Sequence, residues 1–261
     1  MFLVIDVGNT NTVMGIYEGS RLLRSWRIRT EKNTTEDEFN VLTAGLFAQG
    51  GILPKKIGKT IVSCVVPPMV NIIEAFCKKY LGHAPLWVGS TTKTGMPILY
   101  RNPDDVGADR IVNAVAGYTK YKTSLIIIDF GTATTFDAVS PQGEYLGGAI
   151  CPGIMISAEA LFQTASKLPR VELFIPPENV IGKNTTGSIQ SGIIFGYAGL
   201  VDGIVRRMKK EMGTDPKVLA TGGLAPLLEK VSETIEAIEP DMTLEGLRII
   251  GERVEADTWN S

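Results

Sequence analysis

The sequence has little of what binds nucleic acid, spans a bilayer or staples a secreted domain. Its 26 Lys and Arg are matched by 28 Asp and Glu, a formal net charge of −2 in 261 residues. Nucleic-acid affinity rests on clustered cations that neutralise phosphates. The basic runs here stop at Lys55-Lys56 and at Arg206-Arg207 with Lys209-Lys210, so no nucleic-acid partner is expected. The three cysteines, Cys64, Cys77 and Cys151, show no CxxC spacing. That argues against a disulfide framework or a zinc site, and for reduced thiols in a cytoplasmic protein. No uninterrupted apolar run approaches the ~20 residues that cross a membrane. The opening MFLVIDVGNT lacks the basic leader of a secretory signal, so neither membrane nor export is expected. The single histidine, His83, sits in a Gly-His-Ala-Pro stretch, which gives a histidine base little support. There is no GxxxxGK[ST] and no GxGxxG after the first strand, which excludes P-loop chemistry.

What is present is a pattern that occurs twice. The apolar run Phe2-Leu3-Val4-Ile5 reads as a buried strand, followed by strands over 12–17 and 22–28. Thr35-Glu36-Asp37-Glu38 is a capping box opening a helix that carries Phe39, Leu42 and Leu46 and stops at Gly50-Gly51. A strand over 60–66 runs into Pro67-Pro68 and a helix; a short strand near 86–88 and a helix over 108–118 follow. At Ser124 the opening recurs: the apolar run 125–128 ends in Asp129, and strands at 136–139 and around Tyr145-Leu146 come after it. Helices are expected after Pro152-Gly153 and over 185–212. A strand over 217–220, a short helix, a strand near 235–238 and a helix from Thr243 complete the chain. The expected class is α/β with an internal duplication, divided into residues 1–120 and 121–261. Gly192, Gly196, Gly199 and Gly203 punctuate the long helix. Each costs ~1 kcal/mol relative to Ala in a helix interior, so they predict close packing, within a half or across a dimer.

The two turns that follow the repeated strands are the candidate site. Asp6-Val7-Gly8-Asn9-Thr10-Asn11-Thr12 and Asp129-Phe130-Gly131-Thr132-Ala133-Thr134-Thr135 align with Asp129 standing 123 positions after Asp6. Glycine lets backbone approach an anion, exposed N–H groups and Thr or Asn side chains supply donors, and a strand-end Asp can hold a cation against phosphate. One copy alone reads equally as a hairpin; two copies in register read as phosphate loops. Ala220-Thr221-Gly222-Gly223 ends an apolar strand. It reads either as a tight strand-to-helix turn or as a place where an adenine ring lies close to backbone.

Together these motifs resemble the superfamily of acetate kinase, sugar kinases, Hsp70 and actin. The segments DVGNTNT, VGADRIVNAVAG, IIIDFGTATT, GGAICPGIMISAEAL, KLPRVEL and GKNTTGSIQSGI narrow the resemblance to type III pantothenate kinases, from Met1 to about Gly251. The resemblance implies two RNase H-like domains with the active site in the cleft between them, and a homodimer. It implies ATP-dependent phosphorylation of pantothenate to 4′-phosphopantothenate, the first step of coenzyme A biosynthesis. It also implies Mg²⁺ and a monovalent cation, K⁺ or NH₄⁺.

Carried over by position, the resemblance gives ATP binding to Asp6, Val7, Gly8, Asn9, Thr10, Asn11, Thr12, Val13, Thr132, Gly222 and Gly223. Asp6 would hold Mg²⁺ through water, and Asp129 the monovalent cation. Tyr100, Gly107, Ala108, Asp109, Arg110 and Thr185 would bind pantothenate, with Thr186 an alternative to its neighbour. By sequence alone Asp109 reads as a helix cap; the resemblance makes it the catalytic group that orients the acceptor hydroxyl and takes its proton late. Arg110 would bind the pantothenate carboxylate or stabilise developing phosphate charge. The competing readings are a superfamily kinase or phosphohydrolase acting on another small molecule, and a transcription accessory factor. The last would bring lost motif residues or an added basic surface, and the sequence has neither.

Overall fold

The apolar run at the start of the chain becomes β1 (Phe2–Val7), in which every residue but Asp6 is buried. β2 (Asn11–Glu18) and β3 (Arg21–Arg29) return as an antiparallel meander. Then come α1 (Glu36–Gln49), β4 (Lys59–Cys64), α2 (Pro67–Phe76) and β5 (Leu86–Trp87), with β4 parallel to β1 and β5 parallel to β4. The computed structural model that shows this describes residues 1–165, 168–173 and 175–259. Lys167, the first residue of the KLPRVEL segment, lies outside them. The expected capping box is formed: Thr35 Oγ1 accepts from the Glu38 N–H at 3.2 Å, and the Glu38 carboxylate accepts from the Thr35 N–H at 2.8 Å.

After α3 (Ala108–Tyr121) the order is β6 (Leu125–Phe130), β7 (Ala133–Val139), β8 (Tyr145–Pro152), α4 (Ile154–Thr164) and α5 (Thr185–Met212). β9 (Lys217–Thr221), α6 (Ala225–Leu228), β10 (Ala237–Ile238) and α7 (Met242–Trp259) follow. The first sheet runs β3-β2-β1-β4-β5 and the second β10-β9-β6-β7-β8. Read from the other edge, the second repeats the first strand for strand, so the duplication lies in topology as well as in sequence. These are two RNase H-like sheets.

The chain divides into two compact units, but not by one cut. The first holds Met1–Met96, Arg101–Ala116 and everything from Met242; the second holds Pro97–Tyr100 and Gly117–Asp241. Sequence order assigns the last helix to the second half, whereas α7 packs on β1, β2 and β4. The first sheet has two apolar faces. Leu3, Ile5 and Val7 pack with Phe39, Phe47 and Ile73 of α1 and α2. Phe2 and Ile61 point the other way, and α7 covers them so closely that a Cβ at Gly251 would stand 2.3 Å from the Phe2 ring. Hydrophobic periodicity says that a helix has a buried face, not which sheet it buries.

By length and composition α5 could cross a membrane. Its stripe of Ile194, Tyr197, Ala198, Val201 and Val205 instead belongs to the core of the second unit, with Ile126, Ile128 and Phe136. Its glycines face away from that core. Nothing stands within 4 Å of where a Cβ would be at Gly192, Gly196 or Gly199. Among the described residues of this chain, close packing within a half is not made at these three positions.

Candidate active site

In the first unit, β1 delivers a half-buried Asp6 to the mouth of a hairpin closed by the Val7–Thr12 pair. Residues 8–11 form the turn, with the Gly8 N–H donating to Asn11 O at 3.0 Å and with Asn9 and Thr10 exposed. Thr30, just after β3, braces this loop from behind. Its N–H donates to Thr10 O at 3.0 Å, its hydroxyl donates to Gly8 O at 2.7 Å, and its oxygen lies 3.0 Å from that of Thr12. With these carbonyls held from behind, the loop is preorganised, as an anion-binding nest must be. A lone Thr after a strand carries no sequence signal, and Thr30 was not foreseen.

The second unit repeats the device with one residue fewer. Phe130 pairs with Thr134, so the turn is residues 131–133. The fixed offset therefore holds for the aspartates but slips by one after the turn: Thr12 corresponds to Thr134, not to Thr135. Both Thr12 and Thr134 are fully buried. The brace here is Tyr197 of α5, whose hydroxyl lies 2.7 Å from Thr134 Oγ1 and 2.6 Å from Pro152 O. Gly153 closes on the loop, its N–H donating to Thr132 O at 3.1 Å, and a Cβ there would stand 2.2 Å from that oxygen. Thr132 itself is exposed.

Asp129 is half-buried and pairs in register with Thr221, which brings its carboxylate beside Gly222. Gly222 has φ +90°, and a Cβ on it would meet Phe130 O at 2.6 Å and Asp129 Oδ1 at 2.7 Å. Only glycine fits there, because any side chain would run into both oxygens. A strand-end carboxylate next to a carbonyl is the kind of donor set that suits a hard cation. Asp6 stands differently. Among the described residues no three His, Cys, Asp or Glu gather as a metal cage. Mg²⁺ is commonly held by one or two carboxylates together with substrate phosphates, and a single Asp beside a phosphate loop fits that pattern. Burial, and then the charge of Asp6, push the pKa of the Cys64 thiol at the end of β4 up.

Asp109 is the second residue of α3. Its Oδ1 accepts from the Arg110 N–H at 2.8 Å, so it does part of a cap's work in the first turn. Gly107 lies against it, where a Cβ would come within 2.6 Å of the same oxygen. Burial pushes the Asp109 carboxyl above its ordinary value, outweighing the Arg110 N–H and guanidinium, which pull it down. Ala108 and Arg110 are buried on either side.

The first unit thus carries Asp6, Val7, Gly8, Asn9, Thr10, Asn11, Thr12 and Val13 together with Gly107, Ala108, Asp109 and Arg110. The second carries Tyr100, Asp129, Thr132, Thr185, Gly222 and Gly223. Thr185 and Thr186 are both exposed on the first turn of α5, where Asn184 caps the helix by accepting from the Gly187 N–H at 2.7 Å.

The model of the type III pantothenate kinase family matches residues 2–207. The type III pantothenate kinase of Desulfatibacillum aliphaticivorans is 66% identical over 254 residues, which are 97% of this chain and 99% of that protein. Among solved structures, a protein described as a Baf family transcriptional activator from Campylobacter jejuni superimposes with TM-score 0.60 at 17% identity, covering 99% of this chain and 100% of that one. A protein described as a 2-dehydro-3-deoxygalactonokinase from Sinorhizobium meliloti does so with TM-score 0.58 at 10% identity, covering 99% of each. At such identities the two structures speak for the fold alone.

Proposed function

The chain belongs to the type III pantothenate kinase family, and from that premise we propose that it transfers the γ-phosphoryl group of ATP to pantothenate for coenzyme A biosynthesis, with Asp109 receiving the hydroxyl proton. The observation that carries the role of Asp109 is its setting. The carboxylate is fixed by the Arg110 N–H, hemmed in by Gly107 and raised in pKa by burial. In phosphoryl transfer the transition state is loose and the proton leaves late, so orientation counts for more than basicity. A raised pKa adds proton affinity to that orientation. The pantothenate oxygen bonds to the γ-phosphorus as the bond from that phosphorus to the ADP oxygen breaks, and the proton passes to Asp109 to leave 4′-phosphopantothenate.

The other residues take their parts by position. The backbone and side chains from Gly8 to Val13 would cradle phosphates, Asp6 would hold Mg²⁺ through water, and Val7 would seat the loop. Bound there, Mg²⁺ supplies positive charge to the phosphate oxygens. Thr132, Gly222 and Gly223 would bind ATP, and Asp129 would hold K⁺ or NH₄⁺. Tyr100, Gly107, Ala108, Arg110 and Thr185 hold pantothenate. The open glycine stripe of α5 supports a homodimer, because a second helix could lie against it at backbone distance. The balanced charge supports an enzyme that works without nucleic acid, and the scattered cysteines support a cytoplasmic setting.

The test is ATP turnover by the purified protein with Mg²⁺ and K⁺, with and without pantothenate. ADP should form at a useful rate only when pantothenate is present. Equal rates in both mixtures would identify a phosphohydrolase instead.

A further inference from the structure

One residue holds the segment Pro97–Tyr100 on the second sheet. Tyr145, the first residue of β8, donates its N–H to Pro97 O at 2.8 Å and accepts from the Leu99 N–H at 2.8 Å, a parallel bridge opposite Ile98. The Tyr145 side chain is fully buried, and its hydroxyl donates to Asp137 Oδ1 at 2.7 Å. Asp137 is fully buried too, and its other oxygen accepts from the Thr135 hydroxyl at 3.1 Å. A carboxylate inside a sheet core is costly to keep, and an apolar pair of similar volume is often no less stable there. This one clamps a ring. Against that ring, at 6.4 Å between centroids, lies Tyr100.

Gly147, two residues along β8, provides the floor. A Cβ there would stand 3.3 and 3.4 Å from two carbons of the Tyr100 ring, and the backbone has φ +116°. Tyr100 nevertheless keeps 37% of its surface exposed. A partly exposed tyrosine normally samples several rotamers; this one is seated on a glycine and backed by a clamped aromatic.

We infer that Tyr145 and Gly147 are positioning residues for the acceptor. They hold the Tyr100 ring in the orientation that meets pantothenate, with Asp137 locking Tyr145 from the core. The inference rests on the reading that Tyr100 touches pantothenate. Its physical content is preorganisation: a side chain ordered before binding does not lose that freedom on binding, which is worth roughly two- to tenfold in affinity.

The experiment is steady-state kinetics on Tyr145→Phe, Gly147→Ala, Tyr100→Ala and the Tyr100→Ala/Gly147→Ala double variant. Tyr145→Phe keeps the ring and removes the clamp; Gly147→Ala raises the floor. Each should increase the KM for pantothenate roughly two- to tenfold, with kcat changed less and the KM for ATP unchanged. In the double variant Gly147→Ala should add less than it does alone, because no ring remains for its methyl to displace and only the strain of an alanine at φ +116° is left. The inference is overturned if Tyr100→Ala raises the pantothenate KM while Tyr145→Phe and Gly147→Ala do not. It is equally overturned if Gly147→Ala acts as strongly without the Tyr100 ring, which would mark a local backbone effect. If Tyr100→Ala itself leaves that KM unchanged, the contact assumed for Tyr100 fails, and the inference fails with it. Should Gly147→Ala not fold, Tyr145→Phe decides.

Discussion

Replacing Asp109 by Asn separates its chemistry from its structural role. The amide oxygen still accepts from the Arg110 N–H, now 2.8 Å from Oδ1, and the volume is unchanged. A hydrogen bond to a neutral acceptor is weaker than one to a charged acceptor by about 1 kcal/mol. Against that loss, the variant no longer buries a charge. Because burial outweighs the hydrogen bond in setting the Asp109 pKa, the second effect is the larger, and the variant should be slightly more stable at neutral pH. The sign follows from linkage. A carboxyl with a raised folded pKa stabilises the fold below its unfolded value near 3.8 and loses that contribution as pH rises through the folded value. Asn behaves as the protonated form at every pH, so the two unfolding midpoints should converge in acid. Turnover should fall by roughly 10²- to 10⁴-fold, about 3 to 5 kcal/mol in the barrier, with ATP binding retained. Denaturant titrations at several pH values, ATP binding by calorimetry and kcat on the same samples check all three. Turnover like that of the wild type would refute the role; lost turnover with lost stability would show that Asp109 matters to the fold instead.

The braces behind the loops should matter without touching ligand. Thr30→Val removes the hydroxyl bonds to Gly8 O and Thr12 and should cost about 1 to 3 kcal/mol in a denaturation curve while raising the KM for ATP. Gly222→Ala puts a methyl onto Asp129 Oδ1 and Phe130 O, so activation by K⁺ titrated against Na⁺ should be lost before overall fold, as judged by circular dichroism. Asp202 tests acid stability. Burial alone would raise its pKa, but hydrogen bonds from the Ser232 hydroxyl, the Glu233 N–H and both donors of Thr234 together lower it. Its contribution is therefore present above the unfolded value near 3.8 and lost as pH falls through the folded one, and Asp202→Asn should flatten that limb of the stability–pH curve.

Much of the fold was legible because the same local signals occur twice. A buried run ending in Asp, a Gly-Thr turn and a return strand mark β1–β2 and β6–β7, and the long α5 occupies the span over 185–212 expected of it. Gly222 was readable as a place of close approach to backbone, and Gly107 was singled out only by the family resemblance. What closes upon them, Asp129 in one case and Asp109 in the other, was not readable, because it depends on strand register and on the geometry of a helix's first turn. The braces escaped for the same reason. Thr30 and Tyr197 sit at very different sequence distances from the loops they hold, although they do equivalent work. The one-residue slip between the loops was also hidden, since Thr134 and Thr135 are adjacent identical letters and only pairing says which one is buried. The placement of α7 on the first sheet depends on which sheet face is left bare, a property of the assembled unit and not of the helix.

Product identity tests the central claim most directly. With limiting ATP and excess pantothenate, mass spectrometry of the reaction should find one phosphorylated pantothenate for each ADP formed. Inorganic phosphate accumulating with ADP, and pantothenate recovered unmodified, would contradict it.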